Sequence, residues 1–465
     1  MSFYLIWKII PNYGKLLNNE TGSAIIELRR NGDKMASIML RNIRLINPKS
    51  RTDEMVDILI SKGEVTAIDI HAKSTIREIQ ADIVINGRGL IAAPGLVDVH
   101  VHFRDPGFTY KEDVHSGALA AARGGFTSVV MMGNTKPAMD DPETIKDVLE
   151  RAKKEKIRIY QVGNVTKELK GKELTDAGSL KTAGVVGLSD DGIPILDKDL
   201  LREAFEKAAD LNLPVSLHEE DPQYIENNGI NKGYVSDELN IGGSDRMAEI
   251  SMVERDIELA GETGATINIQ HISTKEAVGL VRTARSKGLN IHAEASPHHF
   301  TLTEDAVLEY GTMAKMNPPL RTEEDRMAII SGLKDGTIDM IATDHAPHSS
   351  EEKAKPIKEA PSGIIGLETA LALGITSLVD KGYLTISELL NRMSTGPAGL
   401  YGFEAGEIRM GSPADIVIFD PNEEWIVTDF VSRSSNSPFI NWRLKGKVKY
   451  TICGGEIVYK DDSII

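Results

Sequence analysis

Histidine and aspartate, both metal-ligating residue types, close four apolar strand-like runs of this chain. The runs are Leu96–His102 (LVDVHVH), Val215–His218 (VSLH), Ile267–His271 (INIQH) and Ile338–Asp344 (IDMIATD). In His100-Val101-His102 the imidazoles lie two residues apart, so the pleat of a strand sends both to one face. Alone, that pair reads equally well as two ordinary histidines, because short motifs recur by chance. His218, His271 and Asp344 at the ends of three further runs shift the balance. A parallel α/β barrel gathers its strand C-termini at one mouth, where residues distant in sequence converge on one ion. Imidazole and carboxylate are ordinary zinc ligands, and zinc lowers the pKa of a water it holds to about 7. The chemistry on offer is hydrolysis by activated water. Asp344 is the candidate both for a ligand and for the carboxylate that carries a proton from water to leaving group.

A pair of ions about 3.5–4 Å apart needs a bridging group, usually a carboxylate. Ser189-Asp190-Asp191-Gly192, at the end of a candidate fourth strand, offers two, although Asp-Gly is also a turn signal. By residue type either Asp could serve. Arg104 occupies the next same-face position after the two histidines, where a guanidinium could grip a substrate carboxylate through two parallel hydrogen bonds. The competing reading is an ion pair with a barrel acid. Asn134 and Asn317 are candidate polar contacts or simple turn residues. His348, four residues after Asp344, falls in the loop above the last strand, where barrel function concentrates. His71, His115 and His292 show no partner pattern. His298, His299 and His345 are expected near the mouth, orienting ligands.

These residues need a scaffold, and the intervening sequence supplies its elements. Candidate strands begin near Leu96, Thr127, Ile157, Val185, Val215, Thr266, Asn290 and Ile338, with helix-forming stretches such as 115–123, 144–156 and 198–210 between them. Eight strands alternating with helices close naturally into a (β/α)8 TIM barrel, expected over residues 94–400. The flanks, 35–93 and 401–465, are short alternating runs broken by Gly, Asn and Asp, and are expected to pair into one small β-sandwich. Residues 1–34 read as an extension outside the fold, expected to be poorly ordered, with Met35 or Met39 as an alternative start.

At 465 residues a barrel plus a smaller domain is the economical organisation, and 41% hydrophobic residues suffice for a large core. A formal charge of −16 argues against a nucleic-acid backbone as partner. The apolar run Phe3–Ile10 is too short to span a bilayer, which takes about 20 residues. A single cysteine, Cys453, fits a reducing, cytoplasmic setting. The expected partners are a small-molecule substrate and further copies of the chain, with no nucleic acid and no membrane.

With those residues assembled, the chain resembles the class I, bacterial-type dihydroorotases of the amidohydrolase superfamily. The resemblance rests on GLVDVHVHFRDPG, GGFTSVVMMGNTKP, SDDG, HISTKEA, ASPHHF, MNPPLR, TDHAPH and PSGIIGLE, in order between residues 95 and 368, and on ADIVIFDP and GKVKYTICGGEIVY in the C-terminal flank. It implies one or two zinc ions per subunit, His100 and His102 holding one and His218 and His271 the other. Asp191, by its spacing before His218, becomes the bridge, and Asp344 the ligand and general acid/base. His102, Arg104, Asn134, Asn317 and His348 become substrate contacts, with the Ser362-Gly363 backbone closing over the ring. The carbamylated lysine that bridges metals in much of the superfamily has no candidate here, since Lys181 precedes the fourth strand and Lys198 follows it. The implied reaction is reversible closure of N-carbamoyl-L-aspartate to L-dihydroorotate in pyrimidine synthesis, with association with aspartate transcarbamoylase as a further expectation. Competing expectations are an allantoinase or hydantoinase, and a non-catalytic dihydroorotase-like scaffold.

Overall fold

The computed structural model describes residues 35–70, 76 and 79–464; the leader, residues 1–34, and His71 lie outside them. Among the described residues no helix is long and apolar enough to cross a membrane.

The N-terminal strands are β1 (Ile38–Asn47), β2 (Thr52–Ser61), β3 (Glu64–Ile70), β4 (Ile83–Asn86) and β5 (Ile91–Pro94). The barrel strands are β6 (Leu96–Val101), β7 (Phe126–Met131), β8 (Arg158–Gln161), β9 (Leu188–Ser189), β10 (Val215–Leu217), β11 (Ile267–Ile269), β12 (Ile291–Ala295) and β13 (Met340–Ile341). The C-terminal strands are β14 (Ile416–Ile426), β15 (Arg443–Cys453) and β16 (Glu456–Lys460).

Strands β6 to β8 and β9 to β13 form two parallel ladders. A parallel bridge between Gly163 and Leu188 joins one to the other, and a bridge between Val101 and His345 returns the last strand to the first. The result is a closed ring of eight parallel strands. Its strands are buried on both faces, in keeping with the mainly apolar β6 (LVDVHV) and β7 (FTSVVM). Helices alternate with them, and their starts are written in the sequence: Asp113 caps helix 114–123 and Asp197 caps helix 198–210, each accepting hydrogen bonds from first-turn amides.

The flanking strands form one hydrogen-bonded path, β16-β15-β14-β5-β1-β2-β3, with β4 added on β1. The two layers expected of a sandwich are thus arms of a single curled sheet. Bulges within the β1–β2, β2–β3, β14–β15 and β15–β16 pairs bend it, and Glu64 bridges back to Pro413 just before β14. Ile38, Leu40, Ile58, Val65, Ile416 and Ile452 share the core enclosed between the arms. Sheet and barrel are continuous, for only Gly95 separates β5 from β6. A Cβ there would lie 2.2 Å from Thr127 Oγ1, so the junction demands glycine.

Candidate metal centre

The strand ends bring the candidate side chains to one mouth of the barrel. His100 stands on β6 where the β6–β7 register shifts, between Asp98 and Val101; Val97 and Val99 before it share a buried cluster with Val130, Met132, Met340 and Ala342. His102 follows one residue beyond β6. His218 and His271 follow β10 and β11 closely, and Asp344 follows β13. His271 (φ +33°) and Asp344 (φ +47°) adopt the left-handed backbone region, as does Arg104 (φ +57°). That conformation is uncommon for side-chain-bearing residues and is tolerated where the surroundings over-determine it.

Six side chains meet in three overlapping triads whose ligand atoms lie within 4.8 Å of one another: His100-His102-Asp191, Asp191-His218-His271 and His100-His271-Asp344. Asp191 belongs to both histidine pairs. Its Oδ1 lies 3.5 Å from His100 Nε2 and 3.7 Å from His218 Nδ1 and His271 Nε2, while Oδ2 lies 3.5 Å from His102 Nε2. Asp344 Oδ1 is 3.0 Å from His102 Nε2 and 3.5 Å from His100 Nε2. Asp190 turns the other way. It accepts from the Val165 (2.8 Å) and Thr166 (3.1 Å) amides, so it secures a loop and stays out of the cluster.

A second layer aims the imidazoles. His100 Nδ1–H donates to Glu294 Oε1 (2.5 Å), leaving its Nε2 buried with no hydrogen-bond partner and directed at two carboxylates. Glu220 accepts from His218 Nε2–H (3.2 Å), turning Nδ1 inward. Asn134 uses both ends of its amide: Oδ1 accepts from His102 Nδ1–H (3.0 Å) and Nδ2 donates to Asp191 Oδ2 (3.0 Å). Expected as a substrate contact, it also orients one histidine and the shared carboxylate. Glu294 and Glu220 escaped the sequence reading. Their signal is a carboxylate at a same-face position beside strand-end histidines, one in Ile291–Ala295 and one two residues after His218.

The electrostatics match the geometry. Burial would raise the Asp344 carboxyl, but His100, His102 and His271 outweigh it and hold the group well below the usual range. Burial likewise opposes ionisation of Asp191, and His100, His218 and His271 again prevail. Burial alone would discharge His100, yet Asp344, Glu294 and Asp191 raise it well above an ordinary histidine. This concentration of carboxylate charge at the inner ends of buried imidazoles suits a divalent cation, and imidazole with carboxylate is a zinc-type donor set. The residues present fit a metal.

Beside the cluster a cavity of about 280 Å³ is lined by His102, Arg104, Asn134, Asp191, His218, Asn228, Asn317, His348 and Ser362, among others. Among the described residues Arg104 forms no ion pair; its Nε–H donates to Pro347 O (3.2 Å). His348 accepts at Nδ1 from Lys111 Nζ (3.3 Å) and donates from Nε2 to Ser362 O (2.9 Å). Burial, then Arg104, Lys111 and Lys353, keep it far below an ordinary histidine, hence neutral. Asn317 leaves a buried Oδ1 without a hydrogen-bond partner. Ser362 Oγ donates to Asn228 Oδ1 (2.9 Å), a lining residue with no signal in the sequence.

The remaining histidines are used elsewhere. His115 pairs with Glu155 (3.0 Å) and His292 with Asp339 (2.6 Å). His345 is spaced 3.3 Å from Glu112 and accepts from the Gly366 amide (3.2 Å). His299 donates to Pro318 O (3.0 Å), and burial lowers His298 to about 4. Among the described residues none of these side chains hydrogen-bonds a cluster residue, but the His345 carbonyl accepts from the His102 amide (2.9 Å).

The family model of the amidohydrolases ("Amidohydrolase family") matches residues 91–458. The chain is 54% identical over 422 residues to a dihydroorotase of Clostridioides difficile, covering 91% of this chain and 99% of that one. It is 50% identical over 425 residues to a dihydroorotase of Lactococcus lactis, with the same coverage. Among solved structures it resembles an L-hydantoinase (dihydropyrimidinase) from Arthrobacter aurescens, with a TM-score of 0.82 at 25% identity, covering 93% of this chain and 98% of that one.

Proposed function

Because the chain belongs to the amidohydrolase family, and to the dihydroorotases within it, we propose that it interconverts L-dihydroorotate and N-carbamoyl-L-aspartate, with zinc, one or two ions per subunit, held by His100, His102, Asp191, His218, His271 and Asp344. It is a hydrolase of cyclic-amide C–N bonds, and the reaction belongs to de novo pyrimidine synthesis. The observation that supports the reading is one cavity in which the ligand cluster faces Arg104, whose guanidinium forms no ion pair among the described residues.

Zinc, when bound, supplies a Lewis acid for the amide oxygen and lowers the pKa of a water. The chain's own residues do the rest. Arg104 binds the ring's carboxylate, a task suited to a guanidinium free of a protein acid. Neutral His348 adds a polar edge beside it without competing charge, and Asn317 Oδ1 accepts a ring N–H. Asp344, kept ionised by its histidines, takes a proton from water and passes it to the departing ring nitrogen. The C–N bond breaks, the water oxygen stays on the carbonyl carbon as part of the new carboxyl group, one water proton ends on nitrogen, and the other is released to solvent as the carboxyl ionises.

The likeness to a hydantoinase makes a cyclic amide without a carboxylate the second reading. Purified protein assayed for ring opening of equal dihydroorotate, allantoin and hydantoin separates them. Dihydroorotate is expected to be turned over selectively. Arg104→Ala should raise KM roughly 100-fold, because a charge-assisted hydrogen bond contributes about 1.5–3 kcal/mol. Equal turnover of all three, with indifference to Arg104→Ala, overturns the reading. A non-catalytic scaffold would open none of them.

A further inference from the structure

One wall of the cavity is held from outside the barrel. Asn436 lies in the connection between β14 and β15 and is 2% exposed. Its Oδ1 accepts from the His348 amide (3.0 Å), and its Nδ2 donates to the carbonyls of Ala346 (2.9 Å) and Gly363 (3.0 Å). Its own carbonyl accepts from the Ile365 amide (3.0 Å). The Gly363 carbonyl takes a second donor, the buried ammonium of Lys353 (3.0 Å), which also donates to Pro361 O (3.1 Å). Two backbone segments that line the cavity, 346–348 and 361–363, are therefore joined through a side chain of the β14–β15 connection and a lysine that ends the short intervening helix 350–353.

The join has no slack. Gly363 sits at φ +153°, and a Cβ there would lie 2.6 Å from His348 Cδ2 and 2.7 Å from Ala346 O. Only a primary amide presents one acceptor and two donors in a single short plane, as this position uses. The substitution Asn436→Asp would keep the acceptor but set a carboxylate against two carbonyl oxygens.

We propose that Asn436, together with Lys353, is a positioning pair for substrate: it sets the place of His348 and of the Ser362-Gly363 backbone, and so governs affinity more than bond cleavage. The proposal rests on the dihydroorotase reading. Neither side chain touches a metal-ligand candidate in the contacts described above, so metal content should be insensitive to their loss.

The test compares steady-state ring opening of dihydroorotate, bound zinc per chain and melting temperature for the parent, Asn436→Ala and Lys353→Met. Both variants should raise KM about tenfold, the cost of losing roughly 1–1.5 kcal/mol of hydrogen bonding, with kcat within threefold of the parent and zinc content unchanged. A KM equal to the parent's, or a loss confined to kcat, overturns the proposal, as does loss of zinc. Should Asn436→Ala fail to fold, Lys353→Met carries the same expectation and the same ways to fail. A parent protein that leaves dihydroorotate intact defeats the functional reading; an active parent with unperturbed variants defeats only the positioning pair.

Discussion

His100 shows how little of a ligand's behaviour resides in the ligand. Its Nε2 faces Asp191 and Asp344 because Glu294 takes the proton on Nδ1, and Glu294 is itself steadied by the His271 amide (3.3 Å) and Asn268 Nδ2 (3.2 Å). Glu294→Gln keeps size and removes the charge. It should weaken metal affinity about 10- to 100-fold, the usual cost of losing an outer partner. Competition against a chelator of known affinity measures this, and an unchanged affinity would remove Glu294 from the centre. The paired Asp190 and Asp191 teach the complementary lesson, for adjacent carboxylates of identical chemistry have unrelated surroundings: one meets loop amides, the other imidazoles.

Helix 114–123 packs Gly117 directly on Phe103, the residue after His102; a Cβ at Gly117 would lie 2.4 Å from the ring. In an isolated helix Gly→Ala stabilises by about 1 kcal/mol, but overpacking a buried contact costs about 1–3 kcal/mol. The clash should win, so Gly117→Ala is expected to lower stability in chemical denaturation, and a stabilised variant would show that Phe103 has room to move. In the sheet, Asp461 after β16 receives Lys447 at 2.8 Å and Lys449 at 3.5 Å on β15. Burial would raise its carboxyl, but Lys447 and Ser463 draw it down to about 2. A depressed carboxyl stabilises above its ordinary pKa near 4 and ceases to as pH falls through its folded value. Asp461→Asn should therefore cost roughly 1–2 kcal/mol at pH 7, screening included, with the gap to the parent closing between about pH 4 and 2. A gap constant with pH would assign the cost to packing instead.

Across the molecule, the curled sheet touches the barrel at both ends. Near the strand starts, Arg158 pairs with Asp415 (2.5 Å) and the Gly95 amide donates to the Asp415 carbonyl (2.9 Å); at the mouth, Asn436 reaches the cavity-lining segments 346–348 and 361–363. The cluster of ligand candidates joins the ends of β6, β9, β10, β11 and β13 across the barrel. Metal binding to the folded chain alone should stabilise it by about 4 kcal/mol at a thousandfold excess over Kd. Chelation is accordingly expected to lower the melting temperature, and re-addition of zinc to restore it. Identical melting with and without chelator would argue against a metal at these six residues.

Much of this architecture was legible locally. The alternation of apolar strands with helical stretches and the same-face pair His100 and His102 are short-range patterns, written by the strand and helix repeats themselves. Between Asp190 and Asp191 residue type was silent and only the family spacing pointed to Asp191; the double use of the Asn134 amide, the Glu294 support and the reach of Asn436 were decided only in three dimensions. The direction of a strand-end side chain depends on backbone angles such as those of His271 and Asp344, and Asn436 and His348 meet through space across 88 residues of chain, a closeness that spacing along the sequence does not encode.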